Sequence, residues 1–144
     1  MLTRMNECLT NLSFAVEESL REHFVIFGST ALVLRGVDIE RPVNDLDVLV
    51  SPWAHQMILP HLKIAYVDFG NNQPLAGVSL AQVLSDASPV QGSYGFPVAT
   101  LDHLFIWKSC LGRQKDLVDL PRIQKYLEQR RVAMGELTGK GSEI

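Results

Sequence analysis

Cysteine is scarce in this chain: Cys8 and Cys110 are the only two and form no CxxC pair. That excludes a disulfide scaffold and fits a reducing compartment. His23, His55, His61 and His103 show no paired ligand spacing, which speaks against a zinc site. An excess of basic charge is also missing. Thirteen Lys and Arg stand against sixteen Asp and Glu, a formal net charge of −3. A chain so balanced does not hold nucleic acid through broad phosphate neutralisation, although a local basic pocket for a small anion remains open. Long apolar runs are absent. Glu7, Glu17 and Glu18 interrupt the first stretch, and no window reaches the apolar length of a membrane span. The expectation is a soluble, cytoplasmic protein. Neither GxxxxGK[ST] nor GxSxG occurs, which removes the P-loop and the nucleophile elbow.

What is present suits one folded domain. In 144 residues, 47% are hydrophobic and 20% charged, enough to bury a core and too apolar for wholesale disorder. Residues 3–22 carry Met5, Leu9, Leu12, Phe14, Val16 and Leu20 at helix-like spacing. HFVIFG reads as a buried strand ending at Gly28, and STALVLRG as a two-turn helix with Ser29 as cap and Gly36 as stop. Asp45 to Val50 is a second strand, closed by Pro52. A short helix broken near Pro60 follows, then a third strand, KIAYVDF. Residues 75–95 fit either a short helix or an edge strand, and FPVAT a last strand. TLDHLFIWKSCLG is helical in pattern with Thr100 as cap. KDLVDLPRIQKYLEQRRV is an amphipathic helix interrupted by Pro121. The order predicts an α/β (α+β) domain over 1–134, a small mixed sheet flanked by helices, with 135–144 as a mobile tail.

The chemistry concentrates between residues 24 and 50. Gly28-Ser29 sits where a strand becomes a helix. Glycine allows close backbone approach, and free amides at a helix start favour an anion, so the turn can cradle the phosphates of a nucleotide. A plain turn with a serine cap is the other reading. Asp45 and Asp47 are two apart on a strand, which puts both on one face with Cα atoms about 6.5–7 Å apart. Carboxylates held so close repel unless a cation lies between them, and hard oxygen ligands suit Mg²⁺ or Mn²⁺ together with substrate phosphates. Two such ions would clamp the attacking and leaving oxygens of an in-line displacement. Aspartate is also poor in strands, so the pair stands out from an otherwise apolar run.

Gly-Ser, then Asp-Leu-Asp starting at the sixteenth residue after the serine, and an apolar strand, resembles the signature of the nucleotidyltransferase superfamily, the DNA polymerase β-like group, with its hG[GS]…Dh[DE]h pattern. RPVNDLD resembles the Arg-x-Thr-x-Asp-h-Asp version of small bacterial and phage members, including aminoglycoside and lincosamide nucleotidyltransferases and abortive-infection toxins. Val43 stands here in place of the usual threonine. LDHLFIWKSCLGRQKDLVDL resembles a second segment of the same families.

The resemblance implies a minimal nucleotidyltransferase fold and transfer of a nucleoside monophosphate from an NTP to an acceptor hydroxyl, with release of pyrophosphate. The acceptor would be a small molecule, a tRNA end or a protein. Asp45 and Asp47 would hold the metal, and Gly28, Ser29 and Arg41 the phosphates. Lys108 or Lys115 would neutralise the leaving group, although Lys115 and Asp119 also have the spacing of an ordinary surface pair on a helix. Arg35 is a second arginine flanking the strand. The family's third carboxylate, which serves as base or metal ligand, maps best to Asp68. A turn aspartate is the alternative there, with Asp86 and Asp102 as weaker candidates. A homodimer or a partner protein would supply the surface that so short a chain lacks for an acceptor. The alternative function is a catalytically weak nucleotidyltransferase-like binding module acting with a partner protein, of toxin–antitoxin or phage-defence type.

Overall fold

The structure, a computed structural model, describes residues 3–62, 67–70 and 78–142, with side chains for 4–62 and 78–135. Its elements in chain order begin with α1 (Thr3–Ala15), a 3₁₀ turn (Glu18–His23), β1 (Phe24–Phe27) and α2 (Gly28–Leu34). Then come β2 (Leu46–Val50), α3 (Pro52–Met57), a second 3₁₀ turn (Leu59–His61) and β3 (Val67–Gly70). α4 (Leu80–Asp86), β4 (Ser88–Pro89), β5 (Pro97–Val98), α5 (Leu101–Leu111) and α6 (Gln114–Ser142) complete it. This is the expected mixed α/β architecture. Among the described residues no helix is long and apolar enough to cross a membrane.

Among the described residues five strands lie in the order β3-β2-β1-β5-β4. β1 is central and all four of its residues are buried, as an apolar run covered on both faces demands. It pairs antiparallel with β2, Phe27 opposite Asp47, and parallel with β5, Ile26 opposite Val98. β2 alternates: Leu46, Val48 and Val50 are buried, and Asp47 and Leu49 are half-buried. β3 runs parallel to β2 and pairs Asp68 with Asp47. The end of β1 and the starts of β2 and β3 therefore meet at one edge of the sheet.

Helix boundaries follow side-chain chemistry. α1 buries Met5, Cys8, Leu9 and Leu12, the spacing of one helical face. Phe14, expected on that face, is instead 85% exposed, because the apolar stripe has turned away from it. The single helix expected over 3–22 is two elements. Arg21 donates to the carbonyls of Ser13, Val16 and Tyr94 and thereby closes the end of α1. Residues 80–86 resolve as helix, capped by Ser79. Thr100 caps α5 by accepting the His103 amide at 3.2 Å, and Gly112 ends it at φ 59°.

α6 departs from expectation twice. Pro121 does not interrupt it. The proline removes one intrahelical hydrogen bond, and buried contacts on both sides, at Asp119 and Ile123, keep the helix together. The helix also continues to Ser142, through the stretch expected to form a tail. Glycine costs a helix about 1 kcal/mol relative to alanine without blocking the ladder, and no proline follows Pro121.

Candidate functional site

Gly28 is the first residue of α2 and has φ 63°, a left-handed conformation that strains other residues. It is also pressed from above. A Cβ placed there would overlap Asp47 Oδ2 and lie 3.2 Å from Asp47 Cβ. The glycine is thus required twice, for its backbone angle and for the closeness of the carboxylate. The motif glycine and the motif aspartate, nineteen residues apart in sequence, are in contact.

Ser29 does not cap the helix. The cap position belongs to Phe27, without a side-chain bond, and Ser29 lies inside the first turn. Its Oγ accepts from Arg41 Nη2 at 3.0 Å. Thr30, buried one residue on, donates to the carbonyl of Asp45 at 3.3 Å. The first turn of α2 is therefore tied to both ends of the segment 41–45, which carries the chain into β2. Val43 is buried in the core, so the position that holds threonine in the resembling pattern supplies packing here.

Asp45 is exposed and Asp47 half-buried. Among the described residues no group of three His, Cys, Asp or Glu side chains could hold a metal ion. Asp45 and Asp47 are two hard-oxygen donors at one strand start, a set that fits a magnesium ion taking its remaining oxygens from a phosphate ligand and water. Asp68 is the register partner of Asp47 on the adjacent strand, and its side chain lies outside the described residues. Asp86 and Asp102 stand elsewhere. Asp86 accepts from Gln82 Nε2 and lies 3.5 Å from His103 Nε2, while Asp102 is in the first turn of α5.

The cations expected to meet phosphate are arranged differently from the sequence reading. Lys108 is 1% exposed, with Nζ 3.0 Å from Asp116 Oδ1 and 2.9 Å from Asp119 Oδ2. Both carboxylates are fully buried. A lysine held this way is fixed in the core and cannot reach a ligand. Lys115 is exposed, and the pair expected between it and Asp119 does not form because Asp119 faces inward. Arg41 binds Asp119 through both terminal nitrogens while also reaching Ser29. Arg35 is spent on structure, donating to the carbonyls of Val98 and Ala99 at 2.8 Å. Arg113 donates to Asp116 through its amide, Nε and Nη2.

Five groups thus form one connected cluster: Arg41, Asp119, Lys108, Asp116 and Arg113. Burial pushes the Asp116 carboxyl upward, but hydrogen bonds from Arg113 and Lys108 together outweigh it and hold the pKa at about 2. Asp119 is likewise pushed up by burial and brought below its ordinary value by Arg41 and Lys108. The hydrogen bond to Asp119 keeps Arg41 more firmly charged. Asp119 has the sequence setting of a surface acid, and the structure buries it in the core. The available signal was its spacing: Asp116, Asp119 and Ile123 share one helical face.

Aromatic packing borders the acid pair. Phe27, the register partner of Asp47, meets Trp107 edge-on with centroids 4.7 Å apart. A cavity of about 590 Å³ lies at the opposite end of β1, lined by Glu18, Glu22, Leu84 and Pro97. No family model, curated protein or solved structure matches the chain.

Proposed function

We propose that this protein is a magnesium-dependent nucleotidyltransferase that moves a nucleoside monophosphate from an NTP to an acceptor hydroxyl. The observation that carries the reading is the packing of Asp47 on Gly28, with Asp45 two residues before it and Asp68 in register beside it. Register partners occupy the same face of a sheet, so Asp47 and Asp68 share a face, with Asp45 just before β2, next to the only positive-φ residue in the 24–35 segment. The resemblance in the Gly-Ser and Asp-Leu-Asp motifs supports the same assignment.

In this mechanism Asp45 and Asp47 hold the metal. A magnesium ion held there would supply charge neutralisation to the transferring phosphate. The Gly28-Ser29 turn, fixed by Arg41 through Ser29, would offer its backbone amides to phosphate oxygens beside Asp47. Asp68 takes the proton of the acceptor hydroxyl, whose oxygen then bonds to the α-phosphorus. The bond from that phosphorus to the β-phosphate oxygen breaks, and pyrophosphate leaves with the bonding pair.

Thermal unfolding with each NTP, with and without Mg²⁺, tests the reading. A ligand at about 100 times its dissociation constant adds roughly 2.7 kcal/mol, a shift of several degrees for a chain of this size. The expected result is a Mg²⁺-dependent shift for at least one NTP that is lost in Asp45→Asn/Asp47→Asn. No shift with any NTP overturns it. Wild-type binding with transfer unaffected in Asp68→Asn would remove Asp68 from the role of base.

A further inference from the structure

Resting on the nucleotidyltransferase reading, we infer that Arg113 is the residue that receives the polyphosphate of the donor, in place of the buried Lys108. Lys108 is excluded by its burial between two carboxylates. Arg113 occupies the corner between the helices, after Gly112 at φ 59°, and its side chain is 46% exposed. Its backbone is fixed by the amide bond to Asp116 Oδ2 at 3.1 Å.

The guanidinium is held but not used up. Asp116 takes the Nε hydrogen and one Nη2 hydrogen. Of the five N–H groups of an arginine, the two on Nη1 and the second on Nη2 have no partner among the described residues. Trp107 supports the group from below, its ring 5.6 Å from the guanidinium carbon. Trp107 in turn packs on Phe27, which pairs with Asp47. Arg113 therefore stands one aromatic pair away from the acidic strand start. Asp47 acts on it through space, after the larger effect of its bond to Asp116, to keep it charged.

This juxtaposition selects a ligand class. A bare anion at Arg113 is repelled by Asp45 and Asp47, and a bare cation at the aspartates is repelled by Arg113. A metal-chelated polyphosphate satisfies both, bringing its cation to the carboxylates and its terminal oxygens to the open fork of the guanidinium. Asp116 acts here as a positioning residue. Already neutralised by Lys108, it fixes the fork without consuming it.

The experiment is calorimetric titration of Mg²⁺-tripolyphosphate, each Mg²⁺-NTP and each nucleoside monophosphate. The proteins are wild type, Arg113→Gln, Arg113→Lys and Lys125→Gln, the last a matched loss of one exposed charge on α6. Arg113→Gln is expected to weaken triphosphate and NTP binding at least about tenfold, with monophosphate binding changed less than threefold. Arg113→Lys is expected to fall between, since it keeps the charge and loses the fork. Lys125→Gln is expected to match wild type. Melting curves within a few degrees of wild type confirm that Arg113→Gln is folded, and Arg113→Lys carries the test if it is not. Wild-type affinity in a folded Arg113→Gln, or an equal loss for monophosphates, overturns the inference alone. A wild type that binds no Mg²⁺-NTP overturns the function and the inference together.

Discussion

Asp116 and Asp119 stand three residues apart on α6 with side chains fully buried, whereas Asp45 and Asp47 stand two apart at the head of β2, one exposed and one half-buried. Around the first pair lie three cations, Arg41, Lys108 and Arg113, all within ion-pair distance. Water has been replaced there by fixed charge, and the carboxylates have become part of the core. The second pair keeps a face toward solvent, where like charges at close range favour a bound cation. Identical side chains thus serve for cohesion in one place, and in the other for the ligand chemistry proposed above. The two settings differ in burial: the first pair is sealed in with its cations, and the second is partly open.

The largest expected effect breaks the cohesive pair. Lys108→Ala takes away the cation shared by both buried carboxylates and should cost about 3–5 kcal/mol, read from urea unfolding at pH 7. A loss below about 1 kcal/mol would mean that Arg41 and Arg113 neutralise the acids unaided. Next comes Gly28→Ala, with an expected loss of about 1–3 kcal/mol from the positive φ and from the overlap with Asp47. Adding Asp47→Ala should recover only part of that loss, because the backbone angle is still unfavourable. Full recovery in the double variant would assign the whole requirement to the carboxylate.

Acid separates the two pairs on a finer scale. Asp116 titrates at about 2 in the folded chain and near 3.9 when unfolded. A depressed folded pKa means that its stabilisation is complete above about pH 4 and fades as pH falls toward 2. Urea midpoints between pH 5 and 2 should fall steeply in wild type and less steeply in Asp116→Asn. The smallest effect belongs to Asp45→Asn/Asp47→Asn, whose stability at pH 7 should stay within about 0.5 kcal/mol of wild type while Mg²⁺-NTP binding is lost. A large destabilisation there would erase the contrast between the pairs.

The elements legible in the sequence are those written by local chemistry. β1 showed as a short apolar run stopped by glycine, and α5 as a helix bounded by Thr100 and Gly112. Gly28, Asp45 and Asp47 stood out as a motif, and the structure brings Gly28 and Asp47 into contact. What could not be read depended on partners distant along the chain. Ser29 looks like a cap from its neighbours, yet its hydroxyl answers to Arg41. Asp119 looks like a surface acid beside Lys115, yet its partners are Lys108 and Arg41. Hydropathy periodicity counts apolar residues, so it misses a carboxylate that occupies a core position because a cation from another element neutralises it.

The bond between Arg41 and Asp119 spans 78 positions, and this separation sets a clock on biosynthesis. Chains emerge N-terminus first at about 5–20 residues per second, so roughly 4–16 s pass between synthesis of Arg41 and synthesis of its carboxylate partner. During that interval the segment from β1 to β2 is complete in covalent structure but lacks the anchor that ties Arg41 across Ser29. The turn at Gly28 acquires its final support only when most of the chain has been made, and a ribosome that stalls before codon 119 leaves it without that support.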